Sequence, residues 1–128
     1  MLFTFALRTT LYSRDAFSQY SALLARAQMA NPEFEKGAFL ILRDDGRLDI
    51  VYWQKSERLS TSFRGRVPEH CIATMHTHPI TDPLPSPRDR SEGQRIHLPM
   101  IVVTPLAVTV AWPNGRTEYI ARRGSLWQ

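Results

Sequence analysis

The chain has 128 residues, 43% of them hydrophobic, which is enough to bury the core of one domain. Sixteen Lys and Arg against twelve Asp and Glu give a net charge of +4, spread without blocks of like charge, which argues against a nucleic-acid partner. The single cysteine excludes an internal disulfide, and no apolar run is long enough to span a membrane, so we expect one domain over residues 1–128 in a cytoplasmic protein.

The first predicted elements are a strand and a helix. LFTFAL, at residues 2–7, mixes aromatic and aliphatic side chains and predicts a strand. Ser13 is suited to cap the helix that follows, and Asn31-Pro32 ends it. The apolar stripe of this helix comprises Phe17, Tyr20, Leu23, Leu24 and Ala27.

A hairpin comes next, with arms AFLIL and LDIVYW and a turn at Asp44-Asp45-Gly46. The polar segment 54–69 predicts a long loop or an irregular hairpin, and its basic residues predict a solvated face. HCIATMHTH predicts another strand, which the prolines after it bring to an end.

The last predicted elements are a helix and three strands. SPRDRSEGQRI predicts a short helix with Ser86 as N-cap and Pro87 in its first turn. Three strands follow, with breaks near 104–105 and at 113–115. The order of the elements predicts a mixed α+β domain.

The most informative stretch is HTHPITDPLPSPRD, at residues 76–89. Residues two apart on a strand point the same way, so His76 and His78 project from one face. Asp89 begins the next helix, which can fold back and place its carboxylate beside the histidines. Two histidines and an aspartate would bind zinc with a fourth position open for water, as in catalytic sites.

Two further residues have the chemistry that such a site needs. Glu35 precedes the apolar strand AFLIL and is a candidate general base for the attacking water. Ser86 has a hydroxyl that can donate to the oxyanion on an attacked carbonyl. Taken singly, each pattern has an ordinary explanation: unliganded histidines on a strand, a helix cap, an exposed loop glutamate.

The whole string resembles the motif of the JAMM metalloproteases, the zinc peptidases with an MPN domain, also called the Mov34/PAD-1 or JAB family. His-Thr-His-Pro, six residues, Ser, two residues and Asp match it at every fixed position. The family also has an upstream element, a glutamate followed by a small residue and aliphatic residues, and EKGAFLIL, which begins at Glu35, resembles it. Ala38 stands where the family usually has glycine, and Gly37 lies one place earlier, so Glu33 is the alternative base.

The resemblance implies one zinc per chain, bound by His76, His78 and Asp89, with Glu35 as general base and Ser86 stabilising the tetrahedral intermediate. It also implies an MPN/JAB-like fold, related to the cytidine-deaminase fold, with a curved mixed sheet flanked by helices. The expected substrate is a ubiquitin-like protein or its conjugate, cut after its C-terminal glycine tail. The chain is similar to a minimal prokaryotic member of the family.

Two other functions remain open at this point: a zinc hydrolase that acts on a cell-wall, toxin or phage-associated peptide, and a non-catalytic MPN-like module that binds a metal or a partner. The oligomeric state is not predicted. Cys71 is expected to be a core thiol that faces away from the metal, and His70 lies too far back along the strand, about 20 Å, to bind it. His97 is expected at the surface or in packing, and Trp53, Trp112 and Trp127 in the core or at its edges.

Overall fold

The computed structural model describes residues 2–29, 36–53, 67–78 and 84–122. Within these ranges the chain forms one six-stranded sheet and three helices, which confirms the predicted α+β class. The helices are α1 (Leu2–Leu11), α2 (Arg14–Met29) and α3 (Pro87–Ile96). The strands are β1 (Gly37–Leu42), β2 (Leu48–Tyr52), β3 (Cys71–Thr77), β4 (Met100–Val103), β5 (Ala107–Ala111) and β6 (Thr117–Arg122).

The sheet is mixed. Its order is β2-β1-β3-β4-β5-β6, and neighbouring strands are antiparallel except for the parallel pair β3 and β4. A parallel pair needs a crossover connection, and α3 lies on the one that joins β3 to β4. The beginning of α3 can therefore return to the end of β3.

The predicted first strand is wrong, because residues 2–7 belong to helix α1. Leu7 and Leu11 are four residues apart, and in a helix both reach the core, where Leu11 is completely buried. Packing thus outweighs the strand preference of the aromatic residues in this segment. No helix in the described ranges is long and apolar enough to cross a lipid bilayer.

The other predicted elements are confirmed where the structure describes them. The Ser13 hydroxyl accepts a hydrogen bond from the Ala16 N–H at 3.2 Å, as expected of an N-cap. The β1–β2 hairpin turns at Gly46, whose φ of 86° favours glycine. Several predicted features lie outside the described residues: the basic segment 54–66, the helix stop at 31–32, and Trp127.

The two faces of the sheet have different roles. Leu40, Met75 and Ile101 point into the main core, which the helices α1 and α2 cover. Residues of the opposite parity point to the other face, where the Thr74 hydroxyl donates to the sulfur of Met100 at 3.0 Å. Gly93 of α3 lies against Met100, so α3 covers this second face.

Candidate metal centre

The end of strand β3 carries two histidines. His76 is paired with Gly37 of β1 on one side and Val102 of β4 on the other, and only 1% of its surface is exposed. His78 follows Thr77, the last residue of β3, and is partly buried. The two Nε2 atoms are 3.1 Å apart. The predicted projection of both side chains from one face is therefore confirmed.

Asp89 enters this cluster from the first turn of α3. One carboxylate oxygen, Oδ1, lies 3.1 Å from the Nε2 of His76, and the other, Oδ2, lies 3.2 Å from the Nε2 of His78. The helix does fold back over the end of the strand, as the sequence predicts. Three side chains with metal-binding atoms thus converge on one point between the sheet and α3.

Asp89 is held in place by the cap of its own helix. Its Oδ2 accepts a hydrogen bond from the backbone N–H of Ser86 at 2.8 Å, and the Ser86 hydroxyl accepts one from the Asp89 N–H at 3.1 Å. These reciprocal bonds form a capping box, with Pro87 in the first helical turn. Hydrogen bonds of this kind orient a ligating carboxylate and limit its rotamers.

The surroundings of Asp89 keep its carboxyl group ionised. Burial raises its pKa, but hydrogen bonds with His76 and His78 outweigh that effect, and the N–H of Ser86 adds to them. The pKa of Asp89 is therefore held well below its usual range. An ionised carboxylate beside two imidazoles is the form in which this group can bind a cation.

The geometry of the three side chains fits a metal ion. Nitrogen and oxygen ligands of zinc lie about 2.0–2.1 Å from the ion, so in a tetrahedral site they are about 3.3 Å from one another. The separations of 3.1–3.2 Å between the ligating atoms lie close to that value. Three ligands also leave a fourth position open.

No protein-family model, curated protein or solved structure matches this chain.

Of the predicted catalytic residues, the structure describes Ser86 but not Glu35. Ser86 is the N-cap of α3 and is hydrogen-bonded to Asp89, and its hydroxyl proton can still donate while the oxygen serves as the cap. Glu35 and the alternative Glu33 lie outside the described residues. Lys36, the neighbour of Glu35 in sequence, is bound to the strand that carries the histidines: its carbonyl accepts from the Thr77 N–H at 2.9 Å.

The other histidines and the cysteine are separate from the cluster. His70 lies in the turn before β3, and His97 is an exposed residue at the end of α3. Cys71 begins β3, and its partial burial fits the predicted core thiol. Burial raises the pKa of this thiol to about 11, against the opposing effect of backbone hydrogen bonds with Ala73 and Leu40. None of the three belongs to the group of side chains within metal-binding distance in the described ranges.

Trp53 lies closer to the candidate metal centre than the sequence indicates. Trp53 is predicted only as a core or edge aromatic, but its indole packs directly on Gly37, the residue opposite His76. The available signal was the glycine at the start of an apolar strand, which often marks the close approach of another group. The sequence does not show which group approaches.

Proposed function

We propose that this protein is a zinc metallopeptidase of the JAMM type, with an MPN-like domain. It hydrolyses the bond that follows the C-terminal glycine tail of a ubiquitin-like protein. The observation that carries the proposal is the convergence of His76, His78 and Asp89 with the spacing of the JAMM motif. The mixed sheet with helices on both faces is compatible with that fold.

Zinc is the metal that these residues favour. Imidazole nitrogens suit it, and a site with three protein ligands and an open position is typical of catalytic zinc. Zinc held by His76, His78 and Asp89 would lower the pKa of a water molecule to about 7 and polarise a carbonyl group. Two histidines and a carboxylate also suit iron(II), which is why metal analysis has to measure both ions.

Glu35 and Ser86 have separate roles in the proposed reaction. The Glu35 carboxylate takes the proton of the attacking water and passes it to the leaving amine. Its neighbour Lys36 pairs with Thr77 at the end of the histidine strand, which supports this role. The Ser86 hydroxyl, next to Asp89, donates a hydrogen bond to the oxyanion that forms on the attacked carbonyl.

The substrate proposal follows from the shape of this region together with the motif. An extended peptide can reach a site at the end of a strand and pair its backbone there, whereas the surface of a folded protein cannot. A flexible glycine tail has no side chains to collide with the residues around His76. We therefore propose a ubiquitin-like protein, or its conjugate, as the substrate.

The test uses fusions of a folded ubiquitin-like domain to a reporter through Gly-Gly, Ala-Ala or Val-Val junctions, with unstructured peptides as controls. We expect cleavage at Gly-Gly junctions after the folded domain. Equal cutting of all junctions, or of unstructured peptides, would instead indicate a hydrolase for another kind of peptide. A protein that binds zinc but cuts nothing would be a binding module.

The role of Glu35 is tested by Glu35→Gln, which keeps the shape of the side chain and removes the base. We expect zinc content to stay the same and the rate of hydrolysis to fall by a factor on the order of 10²–10⁴. Glu33→Gln is the matched control. Activity that survives in Glu35→Gln and is lost in Glu33→Gln would assign the base to Glu33.

A further inference from the structure

Gly37 lies directly beside His76, one of the three candidate metal ligands. It is the antiparallel partner of His76, while in the neighbouring pair the Thr77 N–H donates to the Lys36 carbonyl. Gly37 and His76 are therefore a pair without a hydrogen bond, in which the two Cα atoms are only about 4.5 Å apart. Side chains at such paired positions point to the same face of the sheet.

The indole of Trp53 occupies the space where a side chain of Gly37 would be. A Cβ built on Gly37 would lie 2.1 Å from Cε3 and 2.5 Å from Cζ3 of the indole, far closer than any contact allows. The six-membered ring of Trp53 therefore lies on the face that carries His76. Trp53 is also only partly buried, so part of this residue reaches the surface.

The backbone and the ring of Trp53 are each held by a contact with β1. The Trp53 N–H donates to the Gly37 carbonyl at 2.8 Å, which anchors the backbone. Phe39, two residues along β1 and buried, meets the indole edge to face, with the ring centres 5.7 Å apart and the planes at 61°. The ring cannot move aside for an incoming group without losing its contacts with Phe39 and Gly37.

We propose that Trp53 is a specificity-determining residue, an apolar wall that excludes side chains from the substrate residue just before the cleaved bond. The inference rests on the proposed peptidase function and extends it to the residue that enforces small substrates. A methyl group that meets a rigid wall costs roughly tenfold in kcat/KM. The wall thus selects glycine over alanine at this position.

The first test compares kcat/KM for Gly-Gly and Ala-Ala junctions in the wild type, in Trp53→Leu and in Trp112→Phe. Trp112 lines a separate groove near the start of β3, together with Cys71, and serves as the control for loss of a tryptophan. We expect Trp53→Leu to reduce the preference for glycine about tenfold, mainly through faster cleavage at alanine. The control should keep the preference. An unchanged preference in an active Trp53→Leu protein would overturn the proposal.

The second test does not depend on activity. Cobalt(II) added to the metal-free protein should quench tryptophan fluorescence, because a paramagnetic ion quenches an indole close to its ligands. We expect most of this quenching to be lost in Trp53→Phe and kept in Trp112→Phe. Quenching equal to that of the wild type in Trp53→Phe would show that the ring is not beside the cluster and overturn the proposal.

The two tests separate this inference from the function on which it rests. A wild-type protein that cuts no junction would contradict the peptidase function and the substrate selection with it. A wild-type protein that cuts Gly-Gly junctions, with a preference that Trp53→Leu leaves unchanged, would contradict only the role of Trp53. Thermal unfolding of each variant shows that the altered protein is still folded.

Discussion

Ser86 and Asp89 exchange two hydrogen bonds, from the Ser86 N–H to the Asp89 carboxylate at 2.8 Å and from the Asp89 N–H to the Ser86 hydroxyl at 3.1 Å. The residue that completes the candidate metal centre is therefore also part of the cap of α3. The start of this helix sets the position of the carboxylate, and a change at Ser86 acts on the helix and the site together.

Replacing Ser86 with alanine removes the acceptor for the Asp89 N–H. We expect the free energy of unfolding to fall by about 1 kcal/mol, as for other N-caps. Zinc content should remain, because the backbone N–H that orients Asp89 is unchanged. Turnover should fall by about 10², the usual effect of losing an oxyanion donor. Denaturant unfolding, metal analysis and peptide cleavage measure the three effects.

Ser86→Thr is the matched control for that experiment. Threonine keeps the hydroxyl, so both the helix cap and the turnover should stay close to those of the wild type. If Ser86→Ala lowered stability but left turnover unchanged, Ser86 would be a helix cap without a part in the reaction.

The contact between Gly37 and Trp53 predicts a coupled effect on stability. Gly37→Ala should cost about 1–3 kcal/mol, because its new methyl group overlaps the indole. The same change in a Trp53→Leu background should cost much less, since the smaller side chain can make room. A double-mutant cycle from denaturant unfolding measures the coupling. Equal costs in the two backgrounds would show that the indole does not pack on Gly37.

Much of the centre can be predicted from sequence because its geometry is local. The period of a strand places His76 and His78 on one face, and the Ser-Pro-x-Asp pattern places Asp89 in the first turn of a helix. The return of that helix to the strand end follows from the crossover that the parallel pair β3 and β4 requires.

Other features depend on contacts between distant segments, which no local pattern shows. The segment LFTFAL has strand-like residues, but it forms a helix because Leu7 and Leu11 pack on the sheet. Arg8 strengthens this placement through an ion pair with Glu118 of β6, 110 residues away. Trp53 is similar, since its importance comes from Gly37, which pairs with it across the hairpin.

The helical form of residues 2–11 can be tested through Leu11, which is completely buried. Leu11→Ala should lower the free energy of unfolding by about 2–5 kcal/mol, the usual cost of such a cavity. Ala6→Ser, at an exposed position of the same helix, should change stability little. Denaturant unfolding gives both values. Similar small effects at the two positions would contradict the packing of α1.

Cys71 gives a prediction for pH dependence. Its pKa in the folded protein is about 11, so the thiol is neutral near pH 8 and should react slowly with a thiol reagent until the protein is unfolded. In the unfolded chain the thiol ionises near pH 8.5. The stability that this group contributes is therefore fully present below about pH 8.5 and lost as the pH rises towards 11.

The chain has only this one thiol, so labelling reports on Cys71 alone. Cys71→Ala is the control, and its stability should change less than that of the wild type between pH 8.5 and 11. Rapid labelling of the folded protein at pH 8 would show that the thiol is accessible and ionised, against this prediction.

We expect His76, His78 and Asp89 to bind one zinc ion, and Asp89→Asn tests this with little disturbance to the fold. Asparagine still offers an oxygen to the Ser86 N–H, so the helix start is kept, but the charged ligand is lost. His97→Ala, which removes a histidine outside the cluster, is the control.

The decisive measurement is plasma emission analysis of zinc and iron in these proteins after removal of metal, incubation with both ions and desalting. We expect about one zinc per chain in the wild type and in His97→Ala, and a large loss in Asp89→Asn. A wild type that takes up no zinc, or an Asp89→Asn protein that holds as much zinc as the wild type, would contradict this expectation.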